Sequence, residues 1–299
     1  MTTAFVLSGG GSLGAVQVGM LGALAERDFR PDLLVGASAG ALNAAFIGDR
    51  GFSGNTLDEL VGIWRRLRRQ DVFPFAPHRQ LLALAGARPS LCASDGLRRV
   101  IDRHLRVQRL EDATIPVHVV ATDVLSGNEV LLSTGDARDA VLASASIPAV
   151  LPPVMIEDRA LFDGGIANNT PISQAAKLGA DRIIVLPAGV ACALPAAPRS
   201  AVATAIHALT LLIEQRLVLD VAAYHDRVEL IVLPPLCPVS VSSADFRHAE
   251  MLIDRAHDAA GRWLDSGGQH LPHPERFLSL HDHPGLSAIT HDCDGADAA

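Results

Sequence analysis

The chain has 299 residues, 49% of them apolar, 19% charged and 4% aromatic, and 25 basic against 33 acidic side chains give a formal net charge of −8. Apolar content this high and charge this low exclude an intrinsically disordered chain, and the length suits one large domain or two small ones. The acidic balance argues against a general nucleic-acid binder, which carries a basic excess.

In chain order, Ala4 to Ser8 is a short apolar run closed by Gly9, Gly10 and Gly11, and Ser12 to Arg27 predicts a helix. Leu33 to Gly36 predicts a second strand, ending in Ala37-Ser38-Ala39-Gly40, and Ala41 to Ile47 the next helix. A strand, a glycine turn and a helix, twice in succession, predict a parallel sheet with helical crossovers. Helices are predicted over Thr56 to Arg69 and Ser94 to Leu105. Pro116 to Ser133 reads as a hairpin, with strands Val117 to Ala121 and Val130 to Leu132 around Ser126-Gly127-Asn128. The helices Ala137 to Ser144 and Ile172 to Leu178 follow, then the strand Ile183 to Leu186. A helix over Ala201 to Ala223, a strand over Val228 to Leu233 and a helix over Ala244 to Leu264 complete the pattern, with no internal repeat. Small residues line the first two helices (Ala15, Gly19, Ala23; then Ala41, Ala44, Ala45, Gly48), which predicts close helix-to-sheet packing.

Two regions break the rhythm. Residues 50–110 hold 12 arginines against five acids, a local net of +7, and Lys177 is the one lysine of the chain. From Gly267 the sequence turns to Gly, Pro, Asp and His without periodicity. One domain over residues 1–265 and a flexible tail over 266–299 are therefore expected. The tail histidines match no metal-site spacing. Mean hydropathy is +0.26, yet the charge-free stretch Ile183 to Pro198 is shorter than the roughly 18 to 20 residues of a span and is broken by prolines. The first basic residue is Arg27, so no charged secretory leader is expected, and the reading is a cytoplasmic protein. Cys92, Cys192, Cys237 and Cys293 form no close sequence pair and are expected as free thiols.

Gly9-Gly10-Gly11-Ser12-Leu13-Gly14 fits G-x-G-x-x-G between a strand and a helix, the pattern of a dinucleotide turn. That reading wants an acid at the end of the second strand, and Asp32 lies at its start. What survives is a row of backbone N–H groups able to stabilise an anion, a transient oxyanion included. Gly36-Ala37-Ser38-Ala39-Gly40 fits G-x-S-x-G, a sharp turn that lifts a serine hydroxyl off the backbone. The Ala39 N–H would point where the Gly10-Gly11 turn points. A serine nucleophile needs a base. None of the 12 histidines sits in a glycine-flanked turn. Asp163, before Gly164 and Gly165, is the better candidate, with Asp123 as rival and a capping role as its plainer reading.

Together these blocks resemble the patatin-like phospholipase family. The resemblance rests on Leu7 to Gly14, Val35 to Ala44, Ala143-Ser144-Ala145-Ser146-Ile147-Pro148, and Asp163-Gly164-Gly165 with Asn168, Asn169 and Pro171. It implies an α/β three-layer sandwich with a mainly parallel central sheet, and hydrolysis of lipid carboxyl esters without metal or cofactor. Carried over by position, Ser38 is the nucleophile and Asp163 the base. Gly9, Gly10 and Gly11, with Ala39, supply the oxyanion hole, and Gly14, Gly36, Gly40, Gly164 and Gly165 support the turns. Many members carry Arg or Lys where this chain has Leu13, which bears on rate and head-group preference. The partner expected is a lipid or small ester. Residues 50–110, with Phe73, Leu81 and Leu82 beside their arginines, would serve as a lid or as a contact with an anionic membrane. Nucleic acid is not expected, and the oligomeric state stays open. The alternatives are a Ser-His-Asp esterase, a non-catalytic or regulatory member of the fold and, last, a dinucleotide binder.

Overall fold

The computed structural model describes residues 1–74, 76–194 and 196–278. Its strands are β1 (Thr3–Leu7), β2 (Leu33–Ala37), β3 (Val117–Asp123), β4 (Glu129–Leu132), β5 (Val154–Ile156), β6 (Arg159–Asp163), β7 (Arg182–Leu186) and β8 (Glu229–Val232). They form one sheet in the order β5-β6-β3-β2-β1-β7-β8, with β4 also on β3. Strands β3, β2, β1, β7 and β8 run parallel, while β4, β5 and β6 join antiparallel. Every residue of β1 and β2 is buried. Cover on both faces is why these strands read as unbroken apolar runs.

The helices are α1 (Gly14–Glu26), α2 (Ala39–Arg50), α3 (Gly54–Arg66), α4 (Arg69–Val72), α5 (Pro77–Leu84), α6 (Asp95–His104), α7 (Ala137–Ser144), α8 (Gly165–Asn168), α9 (Ile172–Lys177), α10 (Ala201–Tyr224) and α11 (Ala249–Asp265). Because side chains alternate along a strand, β1 feeds two cores. Phe5 and Leu7 join the larger one, under α1, α2, α3, α6, α7 and α11. Ala4 and Val6 join the smaller one, with Ile172 and Ala175 of α9 and Leu217 and Val221 of α10. Three layers result, as expected. The small-residue stripe of α1 has a different partner from the one expected: a Cβ on Gly19 would strike the Ile253 and His257 backbone of α11, not the sheet. Gly48 does lie against the sheet, at Val117.

One arrangement was not visible in the sequence. Ala121 and Thr122 pair with β4 and also with β6. A strand has two edges, so β6 must lie on the edge that β2 occupies up to Val120. As β2 leaves, Ala37 opposite Val120, β6 takes over, Asp163 opposite Ala121. This hand-over sets the end of β6 beside the residue that follows β2, which is Ser38.

The predicted tail begins as packed chain. Leu278 is 3% exposed in the smaller core, while the remainder of that tail, 279–299, lies outside the described residues. Among the described residues, no helix is long and apolar enough to cross a membrane.

Candidate active site

Ser38 sits between β2 and α2 with φ 53° and ψ −121°. A non-glycine residue there stores on the order of 1–3 kcal/mol of strain, so its surroundings must hold it. Its N–H donates to Ser144 Oγ at 2.9 Å, and Ser144 Oγ donates to the Val120 carbonyl at 2.5 Å. Its carbonyl accepts from the Ala41 and Leu42 amides, starting α2. Gly40 is required because a Cβ there would meet the Leu7 and Ser8 carbonyls, so the serine turn lies directly on the end of β1.

Asp163 ends β6 and is 6% exposed. Its Oδ2 accepts from Ser38 Oγ at 2.6 Å, and its Oδ1 accepts from the Gly165 N–H at 2.8 Å. Thr122 Oγ1 donates to its carbonyl at 2.8 Å, and its N–H donates to the Ser146 carbonyl. Burial lifts its carboxyl from 3.8 to about 6, outweighing the hydrogen bonds from Ser38 and Gly165, which pull it down. A Cβ on Gly164 would strike the Val120 carbonyl, so this turn too is a close approach of backbones. Asp123, the rival base, instead accepts from the Leu125 and Ser126 amides and the Ser126 hydroxyl. Those bonds hold its carboxyl below the usual range and make it a turn residue.

Among the described residues, no histidine lines the cavity around Ser38. His118 bonds Ser133 and His257 bonds Glu26. Asp32 accepts from the Thr3 amide at the far end of the sheet, so no acid waits at the carboxyl end of β2 for a ribose.

The glycine turn differs in detail from expectation. Gly9 lines the cavity, but its N–H is donated to the Asn169 carbonyl at 3.2 Å. Ala39 is not part of the cavity wall, and its side chain faces Gly14. Of the expected donors, the amides of Gly10, Gly11 and Ala39 have no acceptor among the described residues, and Gly10 and Gly11 line the cavity. Gly11 has φ +59°, and a Cβ there would run into the Ser243 carbonyl. Beneath the turn lies a buried polar network. Gln17 Nε2 donates to the Ser8 and Leu186 carbonyls at 2.7 and 3.0 Å. Asn43 Nδ2 donates to Gln17 Oε1 and the Gly14 carbonyl, and Trp64 Nε1 donates to Asn43 Oδ1. Leu13 is 1% exposed and belongs to the core. Among the described residues, the one cation lining the cavity is Arg69 of α4.

Loops from the carboxyl ends of β1, β2, β7 and β8 converge on this cavity through Gly10, Ser38, Val190 and Ser243. Its remaining walls are largely apolar, with Phe73, Leu91, Ile147, Val150, Ile213 and Leu217. Fold and site together define a class of protein: a three-layer α/β chain in which a serine turn and a carboxylate meet at the carboxyl edge of the parallel sheet. The chain belongs to the patatin-like phospholipase family, whose model matches residues 5–176. It is 29% identical over 189 residues to patatin-like phospholipase domain-containing protein 7 of Rattus norvegicus, covering 62% of this chain and 13% of that protein. An uncharacterized NTE family protein of Mycobacterium bovis is 31% identical over 188 residues, 61% of this chain and 48% of the other. The chain thus spans about half or less of the length of these relatives. The crystal structure of VipD from Legionella pneumophila matches with a TM-score of 0.47 and 16% identity, covering 89% of this chain and 67% of that one.

Proposed function

We propose that this chain is a serine acyl hydrolase that cleaves carboxyl esters of lipids, with Ser38 as nucleophile and Asp163 as base. The observation that carries the reading is the 2.6 Å contact between Ser38 Oγ and Asp163 Oδ2, made at the foot of an apolar-walled cavity. Asp163 takes the Ser38 proton while Oγ attacks the ester carbonyl carbon. The Gly10 and Gly11 amides receive the oxyanion, and one such donor contributes about 10²- to 10³-fold in rate. The bond to the alcohol oxygen then breaks, and the alcohol leaves with the proton from Asp163. A water gives a proton to Asp163 and attacks the acyl carbonyl; the bond to Ser38 Oγ breaks, Oγ takes that proton from Asp163, and the fatty acid is freed. A carboxyl near 6 is ionised at neutral pH yet basic enough to share this proton in both half-reactions. Family membership and the apolar walls both support an acyl chain as the occupant.

The test is hydrolysis of p-nitrophenyl esters and of a panel of phospholipids by wild type, Ser38→Ala, Asp163→Asn and single His→Ala variants. Loss of activity in the first two variants alone is expected. Near-normal hydrolysis by Asp163→Asn, with one histidine variant dead, returns the Ser-His-Asp reading. Wild type inert toward every ester favours the non-catalytic one.

A further inference from the structure

The 12 arginines of residues 50–110 do not form one uniform basic face. Arg50, Arg65, Arg98, Arg106 and Arg109 are held in ion pairs, with Arg65 reaching Glu250 on α11 and Arg98 reaching Asp139 on α7. Among the described residues, the other seven have no acidic partner within 4 Å, and Arg68, Arg69, Arg79 and Arg88 among them lie on or next to α4 and α5. From Val72 to Ser94 the sequence contains no acid at all. Four of the seven unneutralised arginines therefore lie on the segment that walls the Ser38 cavity, where Arg69, Phe73 and Gln80 line it, while Arg66, Arg99 and Arg103 line a separate pocket.

That segment is also where apolar side chains stand in water. On α5, Leu81 is 68% exposed and Leu82 42%, directly after the cavity-lining Gln80. The cavity is also lined by α10, through Leu209, Ile213 and Leu217, while Leu212 of the same helix is 66% exposed. Exposed leucines thus stand on α5 and α10, two of the helices that line the cavity. A polar ligand gives no reason for such a rim, and a soluble chain that leaves leucines exposed beside unpaired arginines matches a lipid surface of negative charge.

We propose that the rim made by α5 and the neighbouring edge of α10 is a docking surface for an anionic bilayer, with the leucines entering the acyl boundary and the α4–α5 arginines meeting the head groups. The proposal rests on reading the Ser38 cavity as a lipid hydrolase site, and it gives that site its substrate source: a lipid would pass from the bilayer into the cavity without crossing water.

The experiment is sedimentation of Ser38→Ala protein, which leaves lipid intact, with phosphatidylcholine vesicles with and without phosphatidylglycerol. Binding is expected with phosphatidylglycerol at low salt, with loss at high salt. Leu81→Ser/Leu82→Ser weakens partitioning by about tenfold or more. Arg88→Glu changes two charges and weakens it about 25-fold, at about fivefold per charge. In a Ser38 background, both variants keep wild-type hydrolysis of p-nitrophenyl butyrate. Failure of the parent to sediment with anionic vesicles at low salt, or equal sedimentation of parent and both variants, overturns the proposal. Vesicle binding by a wild type that cleaves no soluble ester removes the hydrolase reading and leaves the docking surface. Cleavage without vesicle binding does the reverse.

Discussion

Replacing Asp163 with asparagine should change activity and stability in opposite directions. The side chain is 6% exposed and its carboxyl is lifted from 3.8 to about 6 by burial. A folded-state value above the unfolded one means that the native protein binds the proton more tightly. The stabilisation this gives is complete below the unfolded value of 3.8 and is lost as pH rises through about 6. At neutral pH the native state therefore holds an ionised carboxylate at a cost of about 3 kcal/mol relative to the unfolded chain. Asparagine is nearly isosteric, keeps an oxygen for the Gly165 N–H, and never ionises. Asp163→Asn should gain up to about 3 kcal/mol at neutral pH, and the gain should vanish as the pH approaches the unfolded value. The same change removes the proton acceptor of Ser38, and kcat should fall about 10²- to 10⁴-fold with KM little changed. Urea unfolding at neutral and acid pH, beside kcat on p-nitrophenyl butyrate, measures both. A variant that is less stable than wild type at neutral pH, or one that keeps kcat within a few-fold, refutes the reasoning.

In wild type, kcat/KM for a soluble ester should rise tenfold per pH unit below the Asp163 value of about 6 and level off above it; a profile flat through this range would exclude Asp163 as the titrating base. Ser144→Ala leaves the buried Ser38 N–H without its acceptor, at a cost of about 1–3 kcal/mol. Its kcat should fall at least tenfold, with partial recovery in Ser144→Thr, and equal kcat in all three would free Ser144 of any role in holding Ser38. Gln17→Leu takes the donor from the Ser8 carbonyl, one of two donors from the Leu186 carbonyl and one of two acceptors from Asn43 Nδ2, and should destabilise the fold by roughly 3 kcal/mol in urea unfolding. Gly11→Ala places a Cβ against the Ser243 carbonyl at positive φ, and should cost on the order of 10²-fold in kcat by moving an oxyanion donor, as steady-state kinetics on the same ester would show.

The parts legible in the sequence were those encoded locally. Both glycine turns announce themselves because Gly10, Gly11, Gly36 and Gly40 each leave room for another backbone or side chain, which is a property of one short segment. The predicted helix Ala137 to Ser144 matches α7 residue for residue, for Asp136 caps it by accepting from the Arg138 and Asp139 amides. The β5–β6 hairpin was missed, since three and five residues around a Glu157-Asp158 turn show too little alternation to read as strands. Gln17, Asn43 and Trp64 were missed for another reason. A buried amide looks like a surface amide until its partners are known, and these partners lie up to 169 residues away. Cys192 and Cys237 read as unrelated thiols, yet their sulfurs lie 3.8 Å apart where the loops after β7 and β8 meet. The net charge of residues 50–110 likewise does not tell which arginines are paired, and Arg65 and Arg98 turn toward acids on other helices.

The hand-over on the edge of β3, from β2 to β6, has a consequence in time. Ser38 and Asp163 are 125 residues apart in the chain, and they meet only when β6, made well after β2, has paired in one register. A slip of one residue would turn Asp163 to the opposite face. A nascent chain that has closed β1, β2 and α2 already displays the serine but has nothing to activate it. The proposed dyad is thus incomplete until β6 has paired with β3, and on refolding activity should return with that long-range pairing rather than with the first collapse.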